Sequence, residues 1–438
     1  MKDILLNNFL RISKIPRKSG NEEKIANFFI EVAKKNKLEY RRDKHNNVFI
    51  RKKGNIQSQS IALQAHLDMV CVKKNNSMHN FETDGIEVII NGDEVTAKDT
   101  TLGADQGVGL AMMLTIMEDN NLKHPDIEFI LTTEEETTFN GADNFSYEII
   151  KSKRLINLDN DKDDTVVIGS DGDILEEFSY VGVLESNNLP CYKVILKNLP
   201  GGNSGNKPNE SKNNAIITMV ELLNTKNIYL HSINGGTYEN DIATSCEVII
   251  STNDDLSFLN THEKITVEKT ESNECFTKDD TKKIFAQIES LESGIINEYS
   301  SSANLGVIKT IDNKVTIDYI IRSSNQDKLN EFTDKIEKLK YGFNCKRIYQ
   351  DNIWSINTNS ILLKAYKELY RKIYNEYPKE NICHGGTECS TIKNNLPNLD
   401  IISIGANMES IHTTDEVTYI SSWHKVYNLL IKLFEIKY

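Results

Sequence analysis

The chain has 438 residues, 39% of them hydrophobic, and a formal net charge of −13 at pH 7. That length exceeds what one core usually serves, so two domains are expected, and the apolar content is ample to pack them. The negative balance, with no basic block to offset it, argues against a nucleic-acid partner, and no apolar run approaches the roughly 18 residues of a membrane span.

The opening stretch, MKDILLNNFLRISKIPRKSG, has neither a cationic leader nor a cleavable apolar segment, which fits a cytoplasmic protein. Seven cysteines (Cys71, Cys191, Cys246, Cys275, Cys345, Cys383 and Cys389) lack CxxC spacing and read as reduced thiols rather than a disulfide frame.

In chain order, SGNEEKIANFF predicts a helix opened by a capping box between Ser19 and Glu22. Short strands follow at NVFIRK and IALQA, then a hairpin through IEVIINGDEVTAK with an Asn-Gly turn, then a helix from QGVGLAMMLTIMED. The strand DIEFILTT, a helix near GADNF and the strand RLINLD complete an alternation that predicts an α/β, mostly parallel sheet with helices on both faces. Beyond about residue 184, strands joined by turns and interleaved with helices predict a smaller α+β domain. After residue 350, longer helices and the apolar strand LDIISIGA resume the first pattern. The reading is a catalytic domain in two parts, residues 1–183 and 351–438, interrupted by an inserted domain over 184–350.

Several apolar strands end in metal-ligand residue types, where α/β sheets bind ligands. IALQA runs into His66 and Asp68; IEFILTT runs into Glu134, Glu135 and Glu136; RLINL runs into Asp159; LDIISIGA leads to His412; and Asp105 stands in a glycine-rich turn ahead of a helix. Taken singly, each has an ordinary explanation as a buried imidazole, a helix cap or a solvated turn. Together they would crowd repelling charges unless cations lie between them. Two histidines with three carboxylates suit two zinc-like ions sharing one carboxylate, roughly 3.5–4 Å apart.

The segments ISKIPRKSGNEEKIANF, LQAHLDMVC, TTLGADQGVGLAMML, LTTEEETTFNGA, LINLDND, HGGTEC and IHTTDE resemble, in order and over almost the whole chain, the motif series of cytosolic aminoacyl-histidine dipeptidases. These belong to the zinc metallopeptidase family that also includes carnosinases, aminoacylases and glutamate carboxypeptidases. The resemblance implies that Asp105 bridges two ions, one taking His66 and Asp159 and the other Glu136 and His412. It makes Asp68 the partner that orients His66, and Glu135 the general base acting on a metal-activated water. It also implies substrate contacts from Arg322, Asn203, Asn240, Asn304 and His384, with Arg322 reading a terminal carboxylate. Asn203 stands where the family usually has a histidine, and Glu134 where it has an aspartate. Glu388 and His384 in HGGTEC match as pocket wall or as a brace for the loop.

The expected activity is hydrolysis of Xaa-His-type dipeptides, with two divalent ions, zinc or else manganese or cobalt, and an inserted domain that closes over the substrate and could form a homodimer. Alternatives are an N-acyl amino acid amidohydrolase or tripeptidase on the same scaffold, or a silent homologue that binds peptides or metals. A Cys389–His384 nucleophile pair would leave the acidic strand ends unexplained, and LPGGNSGNKP lacks the Gly-Lys-Ser/Thr ending of a phosphate loop.

Overall fold

A computed structural model describes residues 3–205, 207–296 and 301–436. The chain divides into two compact units: residues 1–169, 354–382 and 387–438 form the first, and residues 170–353 with 383–386 form the second. The division falls at residue 170 rather than 184, because the Gly172–Val181 strand pairs with Lys314–Ser323 and Asn344–Gln350 in the second unit's sheet.

The first unit holds an eight-stranded sheet in the order Glu39–Arg42, Val48–Lys52, Ile127–Thr132, Ile61–His66, Arg154–Asn157, Asp400–Ser403, Thr165–Ser170, Lys379–Cys383. Its four central strands, from Ile127–Thr132 to Asp400–Ser403, run parallel. The Ile61–His66 and Ile127–Thr132 strands are buried along their whole length, as the largely apolar composition of strands covered on both faces allows. The core packs these strands against helices Ile4–Ser13, Glu23–Lys35, Ala104–Glu118, Ile361–Tyr374 and Ile420–Leu433. The expected hairpin forms between Val88–Asn91 and Glu94–Ala97, with Gly92 at φ 64 in its turn.

The capping box does not form. The Glu23–Lys35 helix has no side-chain cap, and Ser19 Oγ donates instead to Asp68 Oδ2 at 2.7 Å. Glu22 Oε1 accepts the N–H of Gly20 and, at 3.1 Å, that of Glu134. A stretch that reads as a helix start is spent on the loops after two central strands.

The second unit is built on a nine-stranded sheet whose named pairings are antiparallel, with helices Ala215–Leu223, Lys278–Ser290 and Gln326–Lys338 contributing to its own apolar core. Among the described residues no helix is long and apolar enough to cross a membrane.

Candidate metal centre

Parallel central strands place their following loops at one edge of the sheet. His66 ends Ile61–His66, Glu134 to Glu136 follow Ile127–Thr132, and Asp159 follows Arg154–Asn157. Asp105 lies at the start of the Ala104–Glu118 helix with non-helical backbone angles.

These side chains meet. Asp105 faces two ways: Oδ1 is 3.3 Å from His66 Nε2, and Oδ2 is 3.2 Å from His412 Nε2. His66 Nε2 is also 3.7 Å from Asp159 Oδ1 and 3.9 Å from Glu135 Oε2, while His412 Nε2 is 3.0 Å from Glu136 Oε2. One histidine with one terminal carboxylate thus lies on each side of Asp105. Ligand atoms of His66, Asp105 and Glu136 all fall within 4.8 Å of one another. Glu136 Oε1 is buried and makes no hydrogen bond, a cost that a cation would remove. The donor set of nitrogen and carboxylate oxygen fits a pair of divalent ions.

The electrostatics agree. Burial pushes the Glu135 carboxyl well above its usual range, and Asp159, Glu136 and Glu388 push it further. Burial also raises Glu136 and Asp159, each with Asp105 adding to the rise. Burial pulls the His66 imidazole down, but Asp105, Asp159 and Asp68 outweigh it and hold its pKa well above the ordinary value. In His412 the same contest, won by Asp105 and Glu136, ends at about 10. Without cations, the imidazoles must carry the positive charge that the carboxylates demand.

Asp68 is fully buried beneath the cluster. Its Oδ1 lies 3.3 Å from His66 Nδ1, in ion-pair range although not aligned as a full hydrogen bond, and accepts the Glu135 N–H at 3.1 Å. Its Oδ2 accepts the Glu136 N–H at 3.2 Å and the Ser19 hydroxyl. Burial raises the Asp68 carboxyl, yet these donors outweigh it and keep the pKa below the usual range. Glu134 sits at φ 56, and this turn in the left-handed region presents the next two N–H groups to Asp68.

The geometry invites comparison with known proteins. Residues 62–435 match peptidase family M20/M25/M40. The chain belongs to this family. It is 30% identical to the cytosol non-specific dipeptidase of Escherichia coli K12, covering 98% of this chain and 96% of that one. Its structure resembles the aminoacylhistidine dipeptidase of Vibrio alginolyticus with a TM-score of 0.79 and 26% identity, over 98% and 96% of the two chains. A tripeptidase from Staphylococcus aureus shares the fold, with a TM-score of 0.67 at 17% identity over 99% and 97%.

In this M20 chain the structure also places residues that the sequence reading passed over. The Glu416 carboxylate accepts the N–H groups of Leu102, Gly103 and Ala104 at 2.8, 3.1 and 2.8 Å, clamping the turn that delivers Asp105. Buried Arg17 donates to the carbonyls of Leu67, Asp68 and Gly103, tying that turn to the loop after His66. Gln106 donates to Asp159 Oδ1. Glu416 and Arg17 lay within matched motifs, IHTTDE and IPRKSG, yet nothing in their spacing marked them as backbone clamps.

The remaining expected site residues lie in the second unit. Arg322 is 3% exposed, its Nε 3.2 Å from Asp173 Oδ2 and its Nη1 donating to Ser204 Oγ at 2.8 Å. His384 is 44% exposed, with Nδ1 held 3.0 Å from Asp171 Oδ2. That contact raises its pKa, against the pull of burial. Asn203 Oδ1 accepts the Gly205 N–H at 2.9 Å, and a Cβ on Gly205 would stand 2.3 Å from the His384 carbonyl oxygen. Asn240 lends its backbone carbonyl to the Ser204 N–H and hydroxyl. Asn304 is fully buried, and its amide donates to the carbonyls of Glu239 and Asp241, bracing that segment.

Proposed function

We propose that this M20 peptidase is a dipeptidase for Xaa-His-type substrates, working with two divalent ions held by His66, Asp105, Glu136, Asp159 and His412. The observation that carries the reading is the split engagement of Asp105, whose two oxygens face different histidines. Two of the relatives named above are dipeptidases by name, and this chain matches both over nearly its full length.

When bound, the ions would neutralise the crowded carboxylates, polarise the scissile carbonyl and lower the pKa of water towards ~7. Glu135 is the base in this reading. Its desolvated carboxylate takes the proton from the attacking water and returns it to the leaving amine. Asp68 keeps the His66 ring and the Glu135–Glu136 backbone in place. Arg322 is the anchor for the substrate's free carboxylate, pre-oriented by Asp173 and Ser204 with Nη2 outside those two bonds. Asn203 supplies a neutral amide where the family pattern has a histidine. Zinc is the first candidate metal, with manganese and cobalt next.

All seven cysteines are free thiols, which fits a reducing cytoplasm. The second unit's sheet ends in the edge strand Ile265–Thr270, which suits a homodimer contact and is tested by solution mass.

The deciding experiment assays purified, metal-loaded protein against Xaa-His and other dipeptides, tripeptides and N-acetyl amino acids. Highest kcat/KM for Xaa-His dipeptides supports the reading. Preference for tripeptides or N-acetyl amino acids replaces it, and turnover of none of these panels leaves a silent binding protein.

A further inference from the structure

Beneath the metal cluster, a row of buried polar side chains crosses four adjacent strands. Ser403 Oγ donates to Asn157 Oδ1, and Asn157 Nδ2 donates to Gln64 Oε1, each at 2.5 Å. Gln64 Nε2 donates to Thr132 Oγ1 at 3.1 Å and to Glu388 Oε2 at 2.6 Å, and the Thr132 hydroxyl donates to the same oxygen at 2.8 Å. Strand register pairs Gln64 with Asn157 and Asn157 with Ser403.

The row has a direction. Each amide must present its oxygen towards Ser403 and its nitrogen towards Glu388, and the last acceptor is Glu388 Oε2. Two members sit directly under ligands. Gln64 stands two residues before His66 on the same strand face, and Asn157 Oδ1 also accepts the Asp159 N–H at 3.0 Å. Reversing the Asn157 amide would set its NH2 against that N–H. Glu388 itself is fully buried, and its Oε1 makes no hydrogen bond.

We propose that Glu388 is a positioning residue for the metal centre. As the terminal acceptor it fixes the orientation of Gln64 and Asn157, and through them the backbone that carries His66 and Asp159. The inference rests on the metal-centre reading above. Burial raises the Glu388 carboxyl to about 8, against the pull of His66 and Thr132, and a glutamine of the same shape keeps an acceptor oxygen at this position.

The test compares Glu388→Gln, Glu388→Ala and Gln64→Met, each stripped and reloaded with cobalt(II). Metal affinity is read by chelator competition and ligand geometry by the visible absorption of the bound cobalt, alongside KM and kcat. Glu388→Gln should keep affinity within about threefold, because its amide oxygen replaces the acceptor. Glu388→Ala should weaken affinity about 10–100-fold and change the cobalt spectrum. Gln64→Met breaks the row one step nearer the ligands and should do the same even if Glu388→Ala fails to fold. Parental affinity and spectrum in Gln64→Met or Glu388→Ala would overturn the proposal, as would a Glu388→Gln loss as large as that of Glu388→Ala. Failure of the parental protein to bind cobalt at all would overturn the metal-centre reading and this inference with it.

Discussion

Replacing Asp68 by Asn tests how the site is held, because the structure says which contacts an amide can keep. The carboxylate accepts from Ser19 and the Glu136 N–H on one oxygen, and from the Glu135 N–H, with His66 Nδ1 nearby, on the other. An asparagine that keeps its oxygen beside Glu135 and His66 turns its NH2 towards Ser19, whose hydroxyl can rotate to accept. Only the Glu136 N–H is then left without an acceptor. One buried unsatisfied donor costs about 1–3 kcal/mol, so Asp68→Asn should fold with a loss of that order. The loss falls on the backbone of Glu136, a ligand in the proposed reading, and on that reading metal affinity should drop about 10–100-fold. Asp68→Ala gives up every contact and should lose more on both counts. Urea denaturation of the stripped protein measures the first quantity and chelator competition the second. Parental stability and parental metal affinity in Asp68→Asn would refute the assignment of Asp68 as the brace of this loop.

Glu135→Gln should keep both ions and lose kcat by about 10²–10⁴-fold, whereas Glu136→Gln should lose metal; elemental analysis beside steady-state kinetics separates the two. His412 is raised to about 10 in the ion-free chain because Asp105 and Glu136 outweigh burial, so its charged form stabilises that fold below about pH 6.5 and the contribution is lost as pH rises through 10. Metal must displace that proton, so loading at pH 7 should release protons to an indicator dye, and loading without release would contradict the shift. Arg322→Ala should abolish discrimination between dipeptides with free and amidated C-termini, measured as a ratio of kcat/KM. Asn203→His should raise kcat at unchanged metal content, and a flat or lower value would point to a remodelled second unit.

The candidate site was legible as a cluster because its residues sit at the ends of apolar strands, where a run of buried residues breaks into acid or imidazole. The change in strand and helix alternation suggested a two-part first domain, whereas the first compact unit is made of three segments. Gly172–Val181 carries no mark of its unit in its own sequence, and only its partners assign it to the second sheet. Ser19 and Glu22 matched a local capping pattern, yet long-range acceptors and donors at Asp68 and Glu134 outcompeted the helix end. Arg17, Glu416 and Glu388 act on backbone or buried amides distant in sequence, and one chain's spacing carries no trace of such partners.

The central claim is that hydrolysis requires two ions sharing Asp105, and stoichiometric metal titration tests it most directly. Chelator-stripped protein is titrated with zinc or manganese while Xaa-His dipeptide hydrolysis is followed, in the parental chain and in Asp105→Ala. The account predicts turnover that reaches its plateau at two equivalents per chain, and an Asp105→Ala protein that holds neither ion tightly and does not turn over. A plateau at one equivalent, turnover in the stripped protein, or an active Asp105→Ala variant would contradict it.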